Sequence, residues 1–266
     1  MTSTPRKAAF VLGATDQGTF ILNRFDYHML APDHGIGIGF NLMETSACDP
    51  AEVNAEVGLL QMSRQLRGDG VIALDCGANI GVHTVEWARA MTGWGTVVAF
   101  EPQERLFYAL AGNIALNNCS NAWARHAAVG TTCGSLRVPV PDYTRPGSFG
   151  SLEMRRSANN EDIGQSIDYA GGAAAEIACL SVDSLGLGRL DLLKIDVEAM
   201  ELEVLEGARA TIARCRPALV VEALKGKKEQ IQPWLEAAGY QVFAMGPNLV
   251  GVHHADPLLR LVKPAH

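Results

Sequence analysis

The chain has 266 residues, 48% of them hydrophobic, enough to bury one well-packed core, so one main domain with an N-terminal extension is expected. A formal net charge of −7 repels phosphate backbones and argues against a nucleic-acid partner. The opening MTSTPRKAAFVLG lacks the apolar core and cleavage site of a signal peptide, and no segment has the length of a bilayer span, so a cytoplasmic location and no membrane partner are expected.

Residues 7–26 read as two short strands, AAFVL and TFILNRF, joined by a turn in ATDQG. The alternating glycines of 34–39 have no strand–helix frame around them. They read as a connector, or a strand under close backbone approach, rather than a phosphate loop. Asp49-Pro50 opens a helix to about residue 66, with Asp49 as N-cap and Leu59, Leu60, Met62 and Leu66 giving apolar spacing. These segments make up the extension, residues 1–68, and the main domain follows over 69–266.

From Val71 onward short apolar runs alternate with helical segments. VIALDC is a strand before a helix over 82–91. TVVAFEP is a strand before a helix over 103–117, and WARHAAVG is a third strand. Such alternation argues for βαβ units and a parallel sheet covered on both faces. Residues 131–176 break the rhythm, with a strand near 136–140 and a long loop over 142–172 that reads as a lid or an insertion. The rhythm resumes with LDLLKID as a strand, a helix over 201–214, PALVVEAL as a strand and a helix over 228–238. GYQVFAM and NLVGVHH, joined through Gly246-Pro247-Asn248, require an antiparallel pair. The fold class is α/β.

Four motifs carry candidate chemistry. In LDCGANIGVHT, Gly77 and Gly81 let the backbone turn sharply at the carboxyl end of the first core strand, where open α/β sheets bind ligands. The spacing is not G-x-G-x-x-G, so a pyrophosphate is a poor fit. S-adenosylmethionine carries no phosphate, and Asp75 offers its ammonium an acceptor, with Asn79 in the same loop. In VVAFEP, Glu101 ends the second strand, where a carboxylate can accept ribose hydroxyls, each such bond contributing about 1.5–3 kcal/mol. In HAAVG, Ala127 and Ala128 leave room for an adenine ring. His126 reads as a hydrogen-bonded structural residue, and Asn113 and Asn117 as helix-surface polar residues. In LLKIDVEAME, Asp196 and Glu198 alternate along a strand and so face one side. They are candidates for acceptor positioning or general base, with Glu222 at the end of PALVVE as a third acid and Lys194 as a pairing partner.

Together LDCGANIGVHT, VVAFEP, AAVG, the Val182–Leu185 segment, LLKIDVEAMELEVLEGA and PALVVE resemble the FkbM family of S-adenosylmethionine-dependent methyltransferases. They fall in order over 71–224. The family pattern has glycine where this chain has Ala199. The resemblance implies a Rossmann-like methyltransferase fold with a mostly parallel seven-stranded sheet and a C-terminal antiparallel hairpin. It also implies O-methylation of a small-molecule acceptor, a sugar or natural product. An NAD-dependent oxidoreductase, a noncatalytic binding protein on the same fold, and a protein methyltransferase remain as alternatives.

Six cysteines, Cys48, Cys76, Cys119, Cys133, Cys179 and Cys215, form no C-x-x-C pair and read as reduced, buried small hydrophobes. Lys225, Lys227 and Lys228 read as a solvated loop or a helix start. His253 and His254 are adjacent on a terminal strand and point to opposite faces, so no metal ligand is assigned, although the cleft acids leave a divalent ion open. The N-terminal hairpin and helix either cover the core or build a homodimer interface.

Overall fold

The computed structural model describes residues 7–31, 34–156, 160–170, 173–224 and 227–262. The extension begins with an antiparallel hairpin, β1 (Phe10–Thr15) and β2 (Gly18–Asn23), followed by a second small pair, β3 (His28–Ala31) and β4 (His34–Ile36). The glycine-rich stretch thus supplies β4 and the entry to a short helix, α1 (Ile38–Thr45), which the sequence reading did not anticipate. Its glycines do permit close approach, since a Cβ on Gly37 would lie 2.3 Å from the Asp26 carbonyl oxygen. Next comes α2 (Pro50–Arg67). Asp49 stands at its N-cap position but does not cap it. With φ at +46° its carboxylate turns away and accepts a hydrogen bond from Cys48 Sγ.

Then follow β5 (Val71–Cys76), α3 (Val82–Ala90), β6 (Gly95–Phe100), α4 (Glu104–Leu116), β7 (Ala122–Arg125), β8 (Ala128–Val129), β9 (Gly134–Pro139) and β10 (Ala174–Leu180). The chain continues through β11 (Leu192–Ile195), α5 (Glu201–Gly207), α6 (Arg209–Cys215), β12 (Ala218–Glu222), α7 (Lys228–Ala237), β13 (Tyr240–Met245) and β14 (Asn248–His253). Seven strands form one sheet in the order β13-β14-β12-β11-β5-β6-β7. β7, β6, β5, β11 and β12 run parallel, and β14 lies antiparallel between β12 and β13. This is the expected Rossmann-like architecture. The strand order reverses between β5 and β11, so the carboxyl ends of these two strands flank the crevice where such sheets bind ligands.

The central strands are buried on both faces, which is why they read as largely apolar runs. On one face Phe20 and Leu22 of β2 and Leu59 and Leu60 of α2 share a core with Val71, Val85 and Trp87, so the extension covers the sheet. Asn113 fixes it there. Its Oδ1 accepts the Ile21 amide at 2.6 Å and its Nδ2 donates to the Ile21 and Ile80 carbonyls, while Asn117 exchanges hydrogen bonds with the Thr19 backbone. Asn113 and Asn117 therefore clamp the hairpin rather than decorate a helix surface or meet a ligand.

Three segments differ from the sequence reading. The strand expected over 123–130 leaves the main sheet after Arg125. His126 donates from Nε2 to the Pro102 carbonyl and stacks on Phe107, which turns the chain, and β8 pairs instead with β10. β10 itself went unread because AAEIACL is rich in alanine, a weak strand former. The single helix expected over 201–214 breaks at Ala208. The Asp183 carboxylate accepts the Ala210 and Thr211 amides, at 3.0 and 2.7 Å, and so starts a second helix.

Smaller corrections concern charge and thiols. The lysines do mark a helix start, since Lys227 precedes α7, but Lys227 is also tied down, its Nζ 2.7 Å from buried Glu201, while Lys225 falls outside the described residues. Cys48, Cys76, Cys119 and Cys179 are buried as expected, but Cys133 is exposed. Among the described residues no helix is long and apolar enough to cross a membrane.

Candidate functional site

A cavity of about 360 Å³ opens at the carboxyl ends of β5 and β11. Every expected site residue except Gly81 lines it: Asp75, Gly77, Asn79, Glu101, Ala127 and Ala128 on one side, Asp196, Glu198 and Glu222 on the other. Gly81 precedes α3 at φ +90°, packed against Leu110, and does not line the cavity. The cover comes from two parts of the chain, the long loop read as a lid or an insertion and the extension, whose place at the site was not anticipated. Ile36, Gly37 and Ile38 arrive from the extension, and Ser148, Gly150, Ser151 and Met154 from the long insertion. Asp26 joins the two, its carboxylate accepting the Gly39 and Phe149 amides at 2.9 Å each. Gln103, after β6, ties the insertion to the main sheet, donating to the Phe149 carbonyl and accepting from Tyr143 Oη.

The loop after β5 is built around Gly77 and Glu101. Glu101 is 3% exposed, and its two carboxylate oxygens accept the Asn79 and Gln103 amides at 2.8 and 2.7 Å. Burial pushes its carboxyl up to about 8, against the pull of those two hydrogen bonds. Asp75 is also buried, and burial raises its pKa. Oδ2 accepts from Thr84 Oγ1 at 2.6 Å, whereas Oδ1 accepts no hydrogen bond among the described residues.

Asp196 and Glu198 face the cavity for a different reason than strand alternation. β11 ends at Ile195, and the chain turns through Glu198 at φ +47° and Ala199 at φ +81°. The residue that departs from the family pattern thus occupies a backbone conformation that glycine adopts without strain. Ala199→Gly is expected to raise stability by about 1 kcal/mol, the relief of a left-handed alanine less the entropy of glycine. A lower urea midpoint in the variant would contradict this.

Lys194 is buried and donates to Asp196 Oδ2 at 2.8 Å. Burial opposes its charge, but Asp196, Asp75, Glu56 and Glu52 hold its pKa well above the usual lysine value. Asp196, Glu198 and Glu222 present ligand oxygens within 4.8 Å of one another, close enough to hold a divalent cation or to share a proton. Glu52, Glu56 and His83 form a second group of that spacing. Here His83 Nδ1 donates to Glu56 Oε2 at 2.6 Å, which is a hydrogen-bonded ion pair. Sequence reasoning missed both residues. The signal was present, because Glu56 falls on the same helical stripe as Val53, Leu60 and Ser63, all buried.

Two buried carboxyls set a pH dependence. Burial raises Asp26 to about 6 and Glu101 to about 8, so the folded state keeps protons that the unfolded chain releases. Their contribution to stability is fully present below the unfolded values and is lost as pH rises through 6 and 8. Denaturant titration is expected to show the protein at least ~2 kcal/mol more stable at pH 5.5 than at pH 8.5. Equal stability at both would contradict the burial of these charges.

The family described as Methyltransferase FkbM domain matches residues 75–242, well over half of the chain. Methyltransferase 1 of Beauveria bassiana is 28% identical over 193 residues, covering 68% of this chain and 76% of that protein. Methyltransferase sdnD of Sordaria araneosa is 30% identical over 191 residues, covering 64% of this chain and 73% of that protein. Among solved structures, methyltransferase FkbM from Methylobacillus flagellatus is similar at 18% identity with a TM-score of 0.46. That similarity covers 70% of this chain and 44% of the other, so this chain spans under half of that protein's length.

Proposed function

The chain belongs to the FkbM methyltransferase family, and from that premise we propose that it transfers a methyl group from S-adenosylmethionine to a hydroxyl of a small molecule, a sugar or natural product. The observation that carries this reading is the single cavity in which Asp75, Asn79, Glu101 and the two alanines face Asp196, Glu198 and Glu222. Its donor set fits the cofactor. Asp75 Oδ1 is a buried acceptor awaiting a donor, as an ammonium requires, and Glu101 sits at the strand end that suits ribose hydroxyls. Ala127 and Ala128 leave space for a flat ring. When bound, S-adenosylmethionine supplies an activated methyl on its sulfonium.

The chain's own work is to position and to accept a proton. Asp196 is held by Lys194, and its neighbours Glu198 and Glu222 add acceptors on the same side of the cavity. One of these acids takes the hydroxyl proton, worth about 10²–10⁴-fold in rate. The cover from the extension and the insertion keeps water out and favours a small acceptor, in a cavity of about 360 Å³ within the roughly 300–1,000 Å³ usual for small ligands. The test is incubation with methyl-labelled S-adenosylmethionine and a panel of sugars, phenols and aliphatic alcohols, beside peptide and RNA controls. Label on a small hydroxyl compound is expected. Label only on peptide or RNA would overturn the small-molecule assignment.

A further inference from the structure

His83 is the second residue of α3 and lies on the cavity wall near Asp75. Its imidazole is held from behind. Nδ1 donates to Glu56 Oε2, which also accepts from Trp87 Nε1 at 3.1 Å, and the Trp87 ring stands edge-on to the imidazole with centroids 5.9 Å apart. Glu56 is fully buried, and α2 of the extension carries it. Among the described residues Nε2 makes no hydrogen bond.

Burial works against a charge on His83, but the Glu56 carboxylate outweighs it and the pKa is raised. The groups facing His83 are Glu56 and Glu52 on α2, Asp75 on β5 and Lys194 on β11. Of the two cations, Lys194 already has its charge matched by Asp196 at 2.8 Å. His83 has a backing carboxylate on one nitrogen and an unused donor on the other. Close by, Asp75 keeps an unused acceptor oxygen. One cation with a spare donor and one acid with a spare acceptor, on one wall, are complementary to a zwitterion.

We infer that His83, oriented by Glu56, binds the α-carboxylate of the methionine end of S-adenosylmethionine, with Asp75 opposite the ammonium. This rests on the S-adenosylmethionine reading above. It also gives the extension a part in cofactor recognition, because Glu56 comes from it.

The test compares two nucleosides by calorimetric titration. S-adenosylhomocysteine carries the amino-acid end, and 5′-methylthioadenosine lacks it. His83→Ala is expected to weaken S-adenosylhomocysteine at least tenfold and to leave 5′-methylthioadenosine within twofold. His83→Gln, which keeps a hydrogen bond to Glu56 but removes the charge, is expected to show an intermediate loss for S-adenosylhomocysteine alone, and it serves if the alanine variant fails to fold. Equal losses for both nucleosides would mark a structural residue and overturn the inference, as would unchanged S-adenosylhomocysteine binding. Wild type that binds neither nucleoside would overturn the S-adenosylmethionine reading itself, and this inference with it.

Discussion

Gly77→Ala is expected to destabilise the protein by about 3–5 kcal/mol, or to prevent folding, because a Cβ there has no space and no favourable backbone angle. Gly77 sits at φ +90°, and an added Cβ would lie 1.7 Å from the Asp196 carbonyl oxygen. That oxygen is main chain, so no rotamer change relieves the clash. The Asp196 amide meanwhile donates to the Cys76 carbonyl at 3.0 Å, which fixes the two loops against each other. Relief would have to push the loop after β11 away from the loop after β5, and with it the carboxylates that face the cavity. Urea unfolding of the purified variant measures the loss. A change below about 1 kcal/mol would show that the two loops are not in the contact described.

Glu101→Ala is expected to weaken S-adenosylmethionine at least tenfold, about 1.4 kcal/mol, and to cost about 2 kcal/mol of stability in the absence of any ligand. The two effects have separate causes. Removing the carboxylate takes away the acceptor for ribose, and it also strands the Asn79 and Gln103 amides that the carboxylate now satisfies. Glu101→Gln does not repair the second effect, since one of its two terminal atoms would present a donor to a donor. Calorimetry and denaturation on the same samples separate the two losses. Binding unchanged in a destabilised variant would leave Glu101 as a loop support only.

Much of this was readable because the residues concerned obey local rules. The stretches VIAL, VVAF and ALVV are apolar throughout because their strands are covered on both faces, and Gly246-Pro247 leaves room only for an antiparallel return. The acids at strand ends were legible because a charged residue ending an apolar run must face a cleft or solvent. What escaped notice depends on contacts distant in sequence. Glu56 meets His83 across 27 positions and Asp26 meets Phe149 across 123. No local pattern fixes either pairing. The break in the helix at Ala208 has the same origin, since Asp183 reaches it from a separate turn. Asn113 was misread for a related reason. An asparagine late in a helix looks like a surface residue until a hairpin from the far end of the chain packs on it.

Titration of S-adenosylmethionine into the wild-type protein by calorimetry, with NAD as the control, tests the cofactor assignment most directly. The cavity described here calls for saturable one-to-one binding of S-adenosylmethionine and none of NAD. Well-folded protein that leaves S-adenosylmethionine unbound, or that binds NAD instead, would contradict it.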